Sequence, residues 1–141
     1  EGMVMPRVER RAAAGLVVTT TTSSGTTATD ASLLRGAARA ALATGVPLSL
    51  RFGADALSDL EIVLGENLPP ERIIVGGLDH RDAASARVPF EVARRGAWMA
   101  IDHIGLGCVD HVSEPEGLVA ELVAAGHADR VLLSSNAIGV A

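Results

Sequence analysis

Residues 98–107 read WMAIDHIGLG, an apolar run that ends at Asp102 and His103 and continues into a glycine-containing loop. A short apolar run of this kind predicts a buried strand. An acid and an imidazole are costly inside a core but useful at the mouth of a site, so the pair marks the end of the strand as a candidate site. Four further apolar runs predict strands of the same kind, at residues 16–20, 48–52, 72–75 and 130–134.

Helical patterns separate these strands. The first helix has Thr29 or Asp30 as its cap and Gly45 as its stop. Its apolar residues recur at helical spacing and predict one buried face, made of Leu33, Leu34, Ala37, Ala38, Ala41 and Leu42. Asp55 begins the second helix, which we predict to run to about Glu66. The third, over residues 82–95, is interrupted by Pro89 and is therefore either two short pieces or one late-starting helix. Residues 115–125 form the fourth.

This alternation predicts an α/β fold with about five parallel strands and four helices. Both a doubly wound sheet and a segment of a (β/α)8 barrel fit the order. Polar residues follow every strand, which favours a partial barrel with its site at the carboxyl ends of the strands. These residues are the Thr/Ser loop at 19–27, Arg51, Asp79, His80, Asp102, His103, Ser135 and Asn136.

Composition limits the function classes. The chain has 141 residues, 48% of them hydrophobic and 21% charged, which suits one globular domain after a poorly defined lead-in at residues 1–14. A net charge of −5 offers no basic face for nucleic acid, and no apolar run is long enough to span a membrane. There is no signal-peptide pattern and one cysteine, Cys108, so we expect a cytoplasmic protein. Because the sequence begins at Glu1 rather than Met, we expect a fragment of a longer protein.

Four stretches in order resemble the phosphotriesterase-like family of the amidohydrolase superfamily. They are LLRGAARAALATGVPLSLRFGAD from residue 33, PPERIIVGGLDHRDA from residue 69, ARRGAWMAIDHIG from residue 93 and LVAELVAAGHADRVLLSSNAIG from residue 118. The resemblance covers nearly the whole chain from Gly15 onward. It implies strands four to eight of an eight-stranded barrel.

The resemblance also implies a hydrolase that uses two divalent metals, commonly zinc, to activate water and polarise an ester or lactone. The positions that it implies for metal ligands do not carry ligands here. The carboxylated lysine falls at Val18 or Thr19, and the histidines of the fifth and sixth strands fall at Arg51 and Gly77. The eighth-strand aspartate falls at Asn136. We therefore expect no binuclear zinc site and no cofactor.

Candidate site residues remain at the strand ends. Asp102 and His103 match the family's proton-relay position; they are either a proton-transfer pair or, as we favour, a hydrogen-bonded tie between loops. Arg51 either binds a carboxylate or phosphate or forms an internal ion pair with Asp79 or Asp102. A mononuclear metal site remains the less favoured alternative. Its ligands would be Asp79, His80, Asp102 and His103.

We interpret the protein as a degenerate family member that binds a small anionic ligand through Arg51, with Asp79, Asn136 and Thr19 as further ligand-binding candidates. The alternative is a metal-dependent hydrolase of phosphotriesterase or lactonase type when full length, with altered metal ligands. Five parallel strands that do not close leave two open edges. The chain should therefore self-associate or pair with the missing barrel strands.

Overall fold

A computed structural model describes residues 13–22, 25–85, 87–105 and 114–135 as a parallel sheet with helices packed on one face. The strands are β1 Val17–Thr20, β2 Leu48–Arg51, β3 Ile73–Gly76, β4 Trp98–Ile101 and β5 Val131–Leu133. The helices are α1 Ala28–Thr44, α2 Ala56–Leu64, α3 Arg81–Ser85, α4 Val88–Arg94 and α5 Pro115–Ala124. Short 3-10 turns at Pro70–Arg72 and Ala128–Arg130 lead into β3 and β5.

The five strands lie side by side in chain order, and every neighbouring pair is parallel. A doubly wound sheet would reverse its strand order part-way, so this order confirms the partial barrel. The register aligns Thr19 with Leu50, Leu50 with Val75, and Val75 with Met99. These side chains therefore point to one face of the sheet, and their neighbours in sequence point to the other.

The core lies between the helices and that face of the sheet. Leu50, Val75 and Met99 are fully buried, as are Leu34 of α1 and Leu60 of α2. Fully burying one such side chain stabilises the fold by roughly 1.5–3 kcal/mol. The opposite face, which would line the inside of a closed barrel, is concave and open, and it carries the candidate site.

The helix boundaries correct one detail of the sequence prediction. Thr27, not Thr29 or Asp30, caps α1: its hydroxyl accepts from Asp30 N at 3.1 Å, and Asp30 accepts from Thr27 N at 2.9 Å. Asp30 is thus the third helical residue of a capping box. Gly45 ends α1 with a φ of 77°, and Asp55 caps α2, both as predicted.

The third helix is divided, as the position of Pro89 suggested. Helices α3 and α4 are separate, and Pro89 lies in the first turn of α4, where a missing backbone N–H leaves no hydrogen bond unmade. Arg87, immediately before α4, has a φ of 57°, which marks the turn between the two pieces.

The outer strands leave apolar side chains uncovered. Val18 is 69% exposed and Leu133 is 58% exposed. The expectation that Leu33 and Leu42 join the buried face of α1 is wrong, because they are 55% and 38% exposed. Within the described residues, β1 has a strand on one side only. No helix in the described ranges is both long and apolar enough to cross a membrane.

Candidate active site

The carboxyl ends of the strands bring several predicted site residues together. Arg51 is the last residue of β2, Gly76 is the last residue of β3, and Asp102 follows β4. All three line a cavity of about 330 Å³ on the concave face. The fold therefore places the candidate site on the concave side of the sheet, at the end where barrel enzymes carry their active sites.

His103 pairs with Asp79, not with its neighbour Asp102. Asp79 is fully buried and His103 is 5% exposed. The backbone N–H of His103 donates to Asp79 Oδ2 at 2.8 Å, and His103 Nδ1 lies 3.1 Å from the same oxygen. With the proton on Nδ1, His103 donates two hydrogen bonds to the Asp79 carboxylate, one from its backbone and one from its ring. This contact joins the segment after β3 to the segment after β4.

The Asp102 carboxylate accepts hydrogen bonds from groups other than His103. Its Oδ2 accepts from the backbone N–H of Gly77 at 2.6 Å, and its Oδ1 accepts from the Ser134 hydroxyl at 3.1 Å. A Cβ on Gly76 would lie 3.0 Å from Asp102 Oδ2, tighter than an ordinary contact. The absence of a side chain at Gly76 thus leaves room for the carboxylate that connects the ends of β3 and β5.

The Arg51 side chain is exposed, and its guanidinium makes no hydrogen bond or ion pair within the described part of the chain, although the Arg51 carbonyl oxygen accepts from the backbone N–H of Thr21 at 3.3 Å. The ion pair with Asp79 or Asp102 considered from the sequence is therefore not formed there. The Asp79 carboxylate instead accepts from His103, and the Asp102 carboxylate accepts from Gly77 and Ser134. A guanidinium stays charged at all physiological pH values. The site thus presents a permanent positive charge to the open concave face.

Two other ligand-binding candidates are placed differently. Thr19 is 6% exposed and, in register with Leu50, points toward the helices rather than toward Asp102. Its hydroxyl has no hydrogen-bond partner among the described residues, and it joins Arg51 in lining a groove of about 600 Å³ along the edge of β1. Asn136 lies outside the described residues.

A buried carboxylate that the sequence analysis did not single out, Asp59, holds together the loops beside the site. Asp59 is fully buried and accepts from the hydroxyls of Thr21 and Thr26, each at 2.6 Å. The Thr21 hydroxyl also accepts from the backbone N–H of Gly53 at 2.8 Å. A Cβ on Gly53 would lie 1.9 Å from the carbonyl oxygen of Thr22, so the two loops are in direct backbone contact.

A second carboxylate holds the same loop from the other side. Asp30 is 5% exposed and accepts from the hydroxyls of Thr27 at 2.7 Å and Thr22 at 3.0 Å. The hydrogen bonds from the backbone and side chain of Thr27 hold the pKa of Asp30 below its ordinary value, against the effect of burial. Hydrogen bonds to two carboxylates, Asp30 and Asp59, therefore anchor the described part of the Thr-rich loop after β1.

The residues present do not fit a binuclear metal centre. Arg51 would repel a cation, Gly77 has no side chain, and Val18 on the concave face is apolar. Gly77 also has a φ of +75°, a conformation that strains any other residue. In the described ranges, no group of three or more His, Cys, Asp or Glu side chains is arranged to hold a metal ion.

The model of the family described as the phosphotriesterase family matches residues 9–139 of this chain. The chain belongs to the phosphotriesterase family. A mutant of the organophosphorus hydrolase from Deinococcus radiodurans matches 94% of the chain at 30% identity, with a TM-score of 0.78. That match takes in 41% of the mutant's own chain.

Two further solved structures show the same fold. The lactonase Lmo2620 from Listeria monocytogenes matches 90% of the chain at 26% identity, over 39% of its own length, with a TM-score of 0.76. The phosphotriesterase homology protein from Escherichia coli matches 82% of the chain at 23% identity, over 40% of its own length, with a TM-score of 0.73. The chain thus spans about two fifths of the length of these solved structures.

Proposed function

We propose that this chain binds a small anion at Arg51, in place of the two metal ions that the family resemblance implies, and that it does not carry out metal-dependent hydrolysis. The observation that carries the proposal is the exposed guanidinium of Arg51, which has no ion-pair partner within the described residues. It occupies the strand end where the resemblance places a metal-ligating histidine. A fork of N–H donors at this point suits a carboxylate or a phosphate.

The surrounding contacts support anion binding over internal charge pairing. The two counter-ions considered from the sequence, Asp79 and Asp102, accept hydrogen bonds from His103, Gly77 and Ser134 rather than from Arg51. An unpaired cation on a concave face attracts anions, and low-dielectric walls strengthen that attraction. In this arrangement, Asp102 and the Asp79–His103 pair hold the strand ends in place around Arg51.

The second candidate function is ester or lactone hydrolysis by a longer protein that contains this chain and uses altered metal ligands. The retained Asp102 and the buried Asp79–His103 pair favour it, since the resemblance implies a proton relay at Asp102 and His103. Relatives with hydrolase and lactonase names support the same alternative. Under this hypothesis, the ligands would come in part from outside the described residues.

Metal content and anion affinity test the proposal together. Elemental analysis of the purified chain, after incubation with zinc and gel filtration, should find far less than one metal ion per chain. Isothermal titration with phosphate and with acetate should show saturable binding that Arg51→Met abolishes. Arg35→Met on α1 is the matched control, because Arg35 is an exposed arginine paired with Glu66 at 3.7 Å.

About two retained metal ions per chain, together with zinc-dependent lactonase turnover, would establish the second function instead. Anion binding unchanged by Arg51→Met would contradict the first. Circular dichroism of each variant distinguishes loss of binding from loss of structure.

A further inference from the structure

We propose that the anion bound at Arg51 is a tetrahedral oxyanion of the phosphate class, and that His80 provides a second binding group for it. This inference rests on the anion binding proposed above and narrows its ligand to phosphate monoesters with an uncharged organic group.

The geometry that carries the inference is a small cavity beside Arg51. Arg51, Phe52 and Gly53 from the end of β2 line one wall, and Gly77 and His80 from the segment after β3 line the other. The cavity has a volume of about 70 Å³. One water molecule takes about 30 Å³ of the liquid, so the space admits a group of a few heavy atoms and no larger substrate body.

Gly77 keeps this cavity open. The resemblance places a metal-ligating histidine at this position, and here there is no side chain. A Cβ on Gly77 would lie 3.9 Å from Phe52 Cε1, at the boundary of the cavity, and the φ of +75° disfavours any larger residue. The space that a histidine side chain would enter is thus available between Arg51 and His80.

The number of donors favours a phosphate group over a carboxylate. The backbone N–H groups of Gly53 and Gly77 already donate to Thr21 Oγ1 and Asp102 Oδ2, so side chains must bind the ligand. A guanidinium fork binds two oxygens of an oxyanion, which uses both oxygens of a carboxylate. A phosphate group keeps further oxygens for an N–H of the His80 imidazole.

The neighbouring cavity indicates the rest of the ligand. Phe52, Gly53 and His80 also line a larger space of about 470 Å³, together with Val88, Asp55 and Asp82. An organic group attached to the phosphate would extend into this space and contact Phe52 and Val88. The two carboxylates disfavour a second anionic group there, so a phosphate monoester with a neutral body fits better than a diphosphate or a dicarboxylate.

Isothermal titration of the full 141-residue chain at pH 6.5 tests this inference with two probes, inorganic phosphate and acetate. The variants are Arg51→Met and His80→Ala. Their matched controls are Arg35→Met on α1 and His127→Ala in the turn before β5, both outside the cavity. We expect phosphate to bind more tightly than acetate. His80→Ala should weaken phosphate binding by roughly tenfold and leave acetate binding unchanged, because only phosphate reaches the imidazole.

The outcomes separate the two proposals. If Arg51→Met weakens both anions while His80→Ala weakens neither, anion binding at Arg51 stands and the phosphate class is wrong. If the wild-type chain binds neither anion, or binds both regardless of Arg51, the proposed function fails and this inference fails with it. If the controls reduce affinity as much as the cavity variants do, the binding is nonspecific surface attraction and both proposals are overturned. Circular dichroism confirms that each variant retains its fold.

Discussion

His103 Nδ1 lies 3.1 Å from Asp79 Oδ2, and neither residue is more than 5% exposed. Replacing Asp79 by Asn removes the carboxylate, and an amide with one oxygen cannot accept hydrogen bonds at both of the former carboxylate oxygens. Leaving a buried polar group unsatisfied typically costs about 1–3 kcal/mol, and we expect Asp79→Asn to lower the free energy of unfolding by roughly 2 kcal/mol. Urea denaturation followed by circular dichroism measures it.

Asp129→Asn is the control for this prediction, since Asp129 is an exposed acid in the turn before β5. Exposed substitutions of this kind change stability by less than about 0.5 kcal/mol. Equal effects of the two variants would mean that the Asp79–His103 contact contributes nothing to the fold.

The Thr21 hydroxyl has two hydrogen-bond partners at once, the fully buried Asp59 and the half-buried backbone N–H of Gly53. Thr21→Val keeps the shape of the side chain and removes both hydrogen bonds, leaving the Gly53 N–H and one lone pair of the Asp59 carboxylate unsatisfied. An unsatisfied buried group costs about 1–3 kcal/mol, so the free energy of unfolding should fall by roughly 2 kcal/mol. Thr44→Val is the control, because its exposed hydroxyl bonds only to Ala40 O. If the free energies of unfolding of the two variants differed by only a few tenths of a kcal/mol, the hydrogen bonds of Thr21 to Asp59 and Gly53 would not stabilise the fold as proposed.

Asp30 should make the stability of the fold depend on pH. Hydrogen bonds from Thr27 lower its pKa in the folded chain. The unfolded chain, with a carboxyl pKa of about 4, therefore takes up a proton before the folded chain does. The stabilisation is fully present above about pH 4 and is lost as the pH falls through the folded pKa. Asp30→Asn should thus destabilise the protein most at neutral pH, and the difference from wild type should shrink in chemical denaturation at pH 3. A difference that is constant with pH would show that the charge of Asp30 has no role.

Replacing each of three glycines by alanine should change the stability of the protein by a different amount. Gly36 lies in α1 with open space around its Cβ position, so Gly36→Ala should stabilise the protein by up to about 1 kcal/mol. A Cβ on Gly77 would make only an ordinary contact, 3.9 Å from Phe52 Cε1, but Gly77 has a φ of +75°, so Gly77→Ala should destabilise the protein by about 1–2 kcal/mol. Gly53→Ala should destabilise it most, because the Cβ would lie 1.9 Å from the Thr22 carbonyl oxygen. Thermal unfolding gives the order, and a neutral Gly53→Ala would show that the two loops do not pack as described.

The sequence predicted the features that local chemistry decides. Gly45, Asp55 and Pro89 mark helix boundaries by their own conformational preferences, without help from distant residues. The partner of His103 could not be chosen this way, because Asp79 reaches it only once β3 and β4 lie side by side. The sequence did indicate that Asp102 and His103 have different partners, because successive side chains of an extended segment point to opposite sides.

The buried Asp59 also had a sequence pattern that predicts it. It lies three residues after Ala56 and four before Val63, both of which are buried, and this spacing places it on the apolar face of α2. An acid on such a face needs hydrogen-bond donors, and the Thr-rich stretch after β1 is the richest source of hydroxyls in the chain. What the sequence did not contain was the packing of α2 against that loop, which depends on the whole sheet.

The open edges of the sheet lead to a prediction about association. Leu33 beside β1 and Leu133 on β5 are 55% and 58% exposed, and each outer strand pairs on one side only within the described residues. Exposed apolar edges favour pairing between chains, so we expect the isolated chain to self-associate at concentrations of tens of micromolar. The double variant Leu33→Glu/Leu133→Glu should shift the sedimentation coefficient toward that of a monomer, whereas Ala120→Glu, on the exposed side of α5, should not. A wild-type chain that sediments as a folded monomer at every concentration would show that these edges do not drive association.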